Sequence, residues 1–193
     1  MRISRNFTVE NWKALSFTAE AEWRHAIDML KDRLETRYLE HIRELVPRKT
    51  SGFVVLALDC TLIETIEQFK RGTRKTPQRQ GETYFISFLT SDEFAPHFTR
   101  ATAKIFYKQI RCGLLHQSEA EGVSRIKRGG TLPLVTETAD QASLVINKEA
   151  FHELLEKAIE GYCSRLRSPA ELQLRDAFRR KMNAICRIEG GDG

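Results

Sequence analysis

The stretch FVVLALDCTLIETIEQFKR, Phe53 to Arg71, decides the fold that the sequence predicts. It is apolar on most sides of a helix, which is typical of a central, buried helix. Its first eleven residues form the longest apolar run of the chain, which Asp59 interrupts and which is too short to span a bilayer. We therefore expect no membrane segment. The polar exceptions within the helix are Asp59, Thr61, Glu64 and Glu67.

The region before this helix predicts a second long helix, from about Thr18 to Val46, which Pro47 ends. Apolar residues recur there at steps of three and four, as on one face of a helix. They are Trp23, Ile27, Leu30, Leu34, Tyr38, Ile42 and Leu45.

After the central helix, the segment RGTRKTPQRQG, Arg71 to Gly81, predicts a basic loop. A short helix follows from about Thr83 to Thr90. Pro96 is then expected to open another helix, which we place at about Phe98 to Ala120 with a bend at Gly113.

After Glu121 the helical periodicity of apolar residues gives way to a different composition. β-Branched runs split by glycines predict two or three short strands, arranged as a small hairpin, in residues 122–147. Renewed helical periodicity predicts C-terminal helices in 148–187. The 193 residues thus predict one domain, 1–193, mainly α: a helical bundle with a core at 18–121 and a small β-hairpin insertion.

Net charge, the N-terminal residues and the cysteines indicate the kind of partner and the compartment of the protein. The net charge of +5 and pI near 9.1 favour a polyanionic partner. The first residues lack the apolar stretch of a signal peptide. The four cysteines show no zinc or redox spacing, so we expect reduced thiols and a cytoplasmic protein. No metal-ligand motif is present, and we expect neither a metal nor a cofactor.

The segment FYKQIRCGLLHQ, Phe106 to Gln117, carries the candidate catalytic residues Arg111 and His116. On a continuous α-helix they would lie about 140° apart, and a bend at Gly113 could bring both into one cleft. Lys104 and Lys108 precede Arg111 at helical spacing and form a basic stripe that a phosphate chain would neutralise.

RNA offers a substrate that suits these residues, because it carries its own nucleophile, the 2′-hydroxyl. A histidine can act as general acid or base, and an arginine fork can hold phosphate oxygens as charge develops. Tyr107 could stack on a base, and Arg74 and Lys75 of the basic loop are further candidates for RNA binding. One such histidine per chain leaves the reaction one proton carrier short, which a two-fold dimer would supply.

The pattern R-x4-H in a helical setting, after an aromatic-rich helix, resembles the R-x4–6-H motif of the HEPN superfamily. Many members are small helical, metal-independent endoribonucleases of prokaryotic defence, toxin–antitoxin or CRISPR systems, and they commonly dimerise to form a composite site. The resemblance implies that Arg111 and His116 are the catalytic pair. It also implies an acidic residue on an earlier helix, for which Glu64 and Asp59 are the candidates.

Three functions remain open from the sequence. The first, which makes the chain an enzyme, is an endoribonuclease that cuts by 2′-hydroxyl attack at a dimeric site. The second is a catalytically inactive HEPN-like module that binds nucleotide, RNA or a partner protein such as an antitoxin or a nucleotidyltransferase. Cys112 favours it, because the family often has a polar residue after the arginine. The third is a helical scaffold without a ligand, in which every charge lies at the surface. For the candidate pair, the structural alternative is that Arg111 pairs with a carboxylate and His116 bonds to a backbone carbonyl. For Asp59 and Glu64, the alternatives are a structural salt bridge with an arginine of the first helix and a role in orienting Arg111.

Overall fold

The computed structural model describes residues 1–114, 120, 124–129, 131, 133–139 and 142–188. It is mainly helical with one small sheet of three strands, which confirms the predicted fold class at this level. The helices are α1 (Val9–Lys13), α2 (Glu20–Leu34), α3 (Glu40–Leu45), α4 (Gly52–Arg71), α5 (Gly81–Leu89), α6 (Arg100–Ile105), α7 (Lys148–Leu166) and α8 (Leu172–Cys186). The strands are β1 (Arg125–Lys127), β2 (Val135–Glu137) and β3 (Leu144–Asn147).

The backbone contacts divide the chain into two compact units. Unit 1 contains Met1–His41, Gln68–Lys75 and the described chain from Ile159 onward, and unit 2 contains Ile42–Glu67 and Thr76–Ala158. The single domain that the sequence predicts stays a prediction.

Unit 1 is built on α2, whose start depends on one carboxylate. Glu22 accepts hydrogen bonds from the backbone N–H groups of Ser16, Thr18 and Ala19, at 2.8, 2.9 and 3.1 Å. These N–H groups and the Ser16 hydroxyl stabilise the charged carboxylate and lower the pKa of Glu22 to about 2. A π-helical turn, Glu35–Leu39, connects α2 to α3, so the predicted long helix is confirmed from Glu20 to Leu45.

The core of unit 1 contains aromatic rings from three parts of the chain. Phe178 of α8 packs edge-on against Trp12, with ring centroids 5.8 Å apart, and is stacked on Phe69 at 5.9 Å. The Trp12 indole N–H donates to the side chain of Asn183, at 2.8 Å. The predicted last helix therefore buries an aromatic face, as its periodicity indicates.

Helix α4 ends at Gly72, whose backbone has a φ of +70°. Glycine adopts this left-handed conformation without the steric cost that a Cβ brings. A Cβ at this position would also lie 2.9 Å from the backbone of Ala177 in α8. The glycine thus stops the helix and allows a close approach of two backbones.

Unit 2 has a core of phenylalanine side chains. The rings of Phe106 and Phe151 are stacked with centroids 5.2 Å apart, and Phe94 lies 5.2 Å from Phe151. Phe98 contacts both members of the stack, and Phe85 contacts Phe106. The cluster fixes α7 against the segment that carries Arg111.

The sheet has the strand order β1-β3-β2. Strands β2 and β3 are antiparallel, with Thr136 opposite Val145, and form the hairpin that the sequence predicts. Strand β1 pairs with β3 in parallel, with Lys127 opposite Asn147. This pairing makes the sheet mixed, and no local signal in the sequence indicated it.

Two predicted details are wrong. Helix α6 begins at Arg100 and not near Pro96, because the Thr99 side chain caps it by accepting from the Thr102 N–H at 3.1 Å. Gly113 keeps helical dihedrals of −57° and −52°, so the chain does not bend there. The departure from α geometry lies earlier, in a π-helical turn at Phe106–Cys112.

The phenylalanine cluster gives the first prediction. Phe151→Ala removes a fully buried ring and should lower the free energy of unfolding by about 3–5 kcal/mol. The matched control is Phe53→Ala, since that ring is 46% exposed; it should change the free energy by about 0.5 kcal/mol or less. Urea titrations followed by circular dichroism measure both, and equal losses would contradict the assignment of the core.

Candidate functional site

Arg111 lies in the π-helical turn that continues α6, and its side chain turns toward α4. Its Nη2 donates to Oε2 of Glu64 at 3.0 Å, and the exposed fractions of the two side chains are 17% and 24%. The other oxygen of Glu64 accepts from the Thr76 hydroxyl at 2.7 Å. Both oxygens of the carboxylate are therefore engaged, and the guanidinium is held in one orientation.

Two aromatic rings flank the same guanidinium. Its carbon lies 5.5 Å from the ring centre of Tyr107 and 5.9 Å from that of Phe85, within the range of cation–π attraction. Burial acts against the charge, but the hydrogen bond and the negative charge of Glu64 outweigh it and raise the pKa of Arg111. The Nε of Arg111 is buried and has no hydrogen-bond partner in the described part of the chain.

Tyr107 packs closely at the start of α5. A Cβ on Gly81 would lie 2.5 Å from the Tyr107 hydroxyl oxygen, so a larger residue there would displace the Tyr107 ring. The Tyr107 ring also lies 5.4 Å from that of Phe85. Burial is the largest of the effects that raise the pKa of this phenol. The ring that was predicted to stack on a base thus packs within unit 2 and contacts Arg111.

Asp59 has a different partner from Glu64. It is fully buried and lies 2.8 Å from Nδ1 of His152 in α7, while Nε2 of His152 lies 3.8 Å from Glu156. Burial raises the pKa of Asp59, although the hydrogen bond from His152 opposes this effect. Glu64, and not Asp59, is the carboxylate that binds Arg111.

The three residues of the predicted basic stripe have different surroundings. Lys104 lies 3.7 Å from Glu82, and Lys108 is exposed, whereas Arg111 turns inward to Glu64. A regular α-helix would align the three residues, but the π-helical turn begins at Phe106, between Lys104 and Lys108, and changes their angular spacing. Of the two lysines, Lys108 has no ion-pair partner among the described residues.

Arg74 and Lys75, the other predicted RNA-binding residues, belong to unit 1 and are exposed. The backbone carbonyl of Arg74 accepts a hydrogen bond from Lys181 at 2.7 Å, and Lys181 also donates to Gln68 at 2.6 Å. Lys181 therefore ties the backbone of this loop to α8 and leaves the two predicted side chains at the surface.

His116, the second member of the predicted catalytic pair, lies outside the described residues. The site is thus defined at Arg111, Glu64 and the residues that surround them. Cys60 is fully buried next to Asp59, and burial raises the pKa of its thiol well above the ordinary value. Among the residues that the structure describes, histidine, cysteine, aspartate and glutamate form no group that could hold a metal ion.

Sequence reasoning missed two residues of this site, Phe85 and Thr76, and it missed His152 as the partner of Asp59. His152 follows Asp59 by 93 positions, and only a buried carboxylate in need of a partner could have pointed to it. Phe85 and Thr76 lie in the predicted short helix and basic loop, where neither the periodicity nor the loop composition distinguishes a contact with Arg111 or Glu64 from an ordinary one.

Comparison with known proteins adds no family to this description. No family model, curated protein or solved structure matches the chain. Within the described residues, no helix has the length and apolar character required to cross a membrane.

The Glu64–Arg111 pair gives the second prediction. Glu64→Gln keeps the shape of the side chain but leaves a partly buried guanidinium without its counter-charge, so the free energy of unfolding should fall by about 1–3 kcal/mol. Glu82→Gln is the control, because it breaks the more exposed pair with Lys104 and should cost less than about 1 kcal/mol. Urea titrations compare the two variants. An equally small loss in both would show that Glu64 does not hold Arg111.

Asp59 gives the third prediction. A carboxyl whose pKa is raised by folding binds more protons in the folded state, so stability falls as pH rises above the unfolded pKa of about 3.9. One such group changes the free energy of unfolding by at most about 1.4 kcal/mol per pH unit. Asp59→Asn removes this term. Other carboxylates, such as Glu22, act in the opposite direction in both proteins. The urea midpoint of Asp59→Asn minus that of the wild type should therefore become more positive as pH rises from about 3.5.

The control for this pH series is Asp28→Asn, which replaces an exposed carboxylate in α2. It should follow the wild-type profile. A profile of Asp59→Asn that is parallel to that of the wild type would show that folding does not raise the pKa of Asp59.

Proposed function

We propose that this chain is a metal-independent endoribonuclease of the HEPN type, in which Arg111 and His116 form the catalytic pair. In this proposal the helical part of the chain is a HEPN-like bundle and two copies form one composite site. The protein acts in the cytoplasm as a defence or toxin protein. Its regulator is an antitoxin or a partner nucleotidyltransferase.

The hydrogen bond between Glu64 and Arg111 carries the proposal. The resemblance implies an acidic residue on an earlier helix, and Glu64 of α4 meets the arginine of the motif at 3.0 Å. Glu64 and the rings of Tyr107 and Phe85 orient the guanidinium before a substrate arrives. Glu64 engages Nη2 and Nε is buried, so Nη1 is the donor proposed for a phosphate oxygen.

The chemistry needs no group beyond the side chains of the dimer. A general base takes the proton of the 2′-hydroxyl, and the resulting oxygen attacks the adjacent phosphorus. The bond between phosphorus and the 5′-oxygen breaks as a general acid protonates that oxygen. His116 of one copy and the partner's His116 would fill these two roles, and Arg111 would stabilise the charge on the phosphate. The products are a 2′,3′-cyclic phosphate and a 5′-hydroxyl.

A second function, a catalytically inactive module that binds RNA, nucleotide or a partner protein, has its own support. Cys112 follows Arg111, where the family often has a polar residue. Its side chain lies at the same site, close to Tyr107 and Arg111. A thiol is a weak hydrogen-bond donor, so it contributes less to holding a substrate than a hydroxyl or an amide would.

The test is cleavage of mixed structured and single-stranded RNA in EDTA. Wild type should release fragments with 2′,3′-cyclic phosphate ends, and Arg111→Ala and His116→Ala should each lower the rate by about 100-fold or more. Glu64→Gln should lower it less, because it leaves the guanidinium in place. The controls are Arg24→Ala and His97→Ala, which remove an exposed arginine and an exposed histidine and should retain the wild-type rate.

Two outcomes would contradict the endoribonuclease. Cleavage that persists in both Arg111→Ala and His116→Ala would exclude the motif as the catalytic pair. A wild-type protein that is monomeric in sedimentation analysis and still cleaves would exclude the composite site. A folded dimer that binds RNA without cleaving it would favour the inactive module.

A further inference from the structure

A cavity of about 200 Å³ lies at the N-terminal end of α4. Four cationic side chains line it, and no carboxylate is among the described residues of its lining. We call this site the α4 basic cavity. Its lining residues are Lys49, Thr50, Gly52, Phe53, Ile126, Lys127, Arg128 and Lys148.

The mixed sheet explains why these cations meet. Strands β1 and β3 are parallel, with Lys127 opposite Asn147, so their carboxyl ends lie at the same edge of the sheet. Arg128 follows β1, and Lys148 follows β3 directly. Gly52 allows this edge to approach α4, because a Cβ there would lie 2.8 Å from Ile126.

Lys148 is the most unusual member of the cavity. It is 1% exposed, and its ammonium group donates to the Arg48 carbonyl at 2.5 Å and to the Ser51 hydroxyl at 2.7 Å. Both acceptors are neutral, and an ammonium has three donors. Glu149 pairs instead with Arg128, at 3.3 Å. Glu149 still attracts the Lys148 ammonium electrostatically, but no carboxylate in the described part of the chain forms an ion pair with Lys148. Burying such a charge is costly.

The start of α4 adds partial positive charge to the same cavity. The first bond of the helix ladder runs from the Val55 N–H to the Ser51 carbonyl, so the preceding N–H groups have no partner within the helix. A serine before a helix often caps such groups. Here the Ser51 hydroxyl lies 2.6 Å from the Leu45 carbonyl and 2.9 Å from the Arg48 carbonyl, and it accepts from Lys148. The helix end therefore favours an anion.

We propose that the α4 basic cavity binds a phosphate of single-stranded RNA and that Phe53 stacks on an adjacent base. This inference rests on the proposed function and names a substrate contact away from the catalytic pair. The Phe53 ring is 46% exposed beside the cations, and an aromatic ring next to a basic groove is typical of proteins that bind single strands. An acidic peptide would match the charge but would give the exposed ring no base to stack on.

Distance along α4 separates this anchor from the candidate active site. Gly52 and Glu64 lie twelve residues apart on one helix, which corresponds to about 18 Å. A phosphate in the cavity and a phosphate at Arg111 are therefore different phosphates of one strand. The cavity would hold the RNA at a distance from the bond that is cut.

The test measures binding separately from cleavage. Fluorescence anisotropy of a labelled single-stranded RNA is recorded in EDTA with the His116→Ala variant as parent. Adding Lys49→Ala and Lys127→Ala should raise the Kd about tenfold or more. The slope of log Kd against log salt concentration should fall by about 1.4, which is about 0.7 for each lost phosphate contact. Adding Phe53→Ala should raise the Kd about fivefold or more. Lys49, Lys127 and Phe53 are exposed enough that their replacement leaves the fold intact.

The control replaces two exposed lysines elsewhere, Lys13→Ala and Lys157→Ala, in the same parent. It removes the same net charge and should change the Kd by less than about threefold. Equal losses in the control and in the cavity variant would overturn the proposal, since net charge alone would then explain binding. An unchanged Kd in the cavity variant would also overturn it.

Two further measurements identify the ligand and separate the two proposals. Binding of anionic phospholipid vesicles and of an acidic peptide is measured with the wild type and the cavity variant. If one of these ligands binds the cavity variant more weakly while RNA binding is unchanged, the cavity is assigned to that ligand. RNA that binds the wild type through the cavity but is never cut would refute the endoribonuclease and retain the cavity. Cleavage by the wild type, together with a Kd that does not change in the cavity variant, would support the endoribonuclease and refute the cavity as an RNA-binding site.

Discussion

Two carboxylates of helix α4, the fully buried Asp59 and the partly buried Glu64, each pair with a residue from another segment of unit 2. An unpaired buried carboxylate is costly, so the chain must supply donors from elsewhere. His152 of α7 meets Asp59, and Arg111 of the π-helical turn meets Glu64. The two pairs use different parts of the chain, and the stacked rings of Phe106 and Phe151 join the same two segments. Polar and apolar contacts therefore specify one arrangement of α4, α7 and the turn.

The sequence predicted the elements better than their partners. Periodicity identified the helix that holds Trp23 and Ile42 and the central α4, because burial of one face leaves a regular trace along the chain. It could not identify the partner of Asp59, for which an arginine of the first long helix was one candidate, because a contact over 93 positions leaves no such trace. The parallel pairing of β1 with β3 escaped prediction for the same reason.

The family resemblance, and not a local pattern, made Glu64 a candidate partner of Arg111, because 47 positions separate the two residues. Arg111 and Glu64 were both selected from the sequence, and the structure brings them together. The predicted stripe of Lys104, Lys108 and Arg111 assumed regular α geometry through a segment that forms a π-helical turn. Extra residues in such a turn change which side chains share a face, and single-sequence patterns do not reveal them. Arg111 lies in this turn and binds Glu64 of α4.

The cation near Glu64 of α4 has a carboxylate partner, whereas the cations at the N-terminal end of α4 are only partly neutralised. Under the proposed function, this difference gives the two sites different roles. Glu64 already neutralises Arg111, so a ground-state phosphate must compete with a carboxylate for that guanidinium. Arg111 then gains most as negative charge develops on the phosphate, which is the condition for catalysis rather than for tight binding. Lys148 forms no ion pair with a carboxylate in the described chain, although Glu149 attracts it electrostatically, and the helix N-terminus adds positive potential beside it. Ground-state affinity therefore belongs at the α4 basic cavity, where binding an anion relieves unbalanced positive charge.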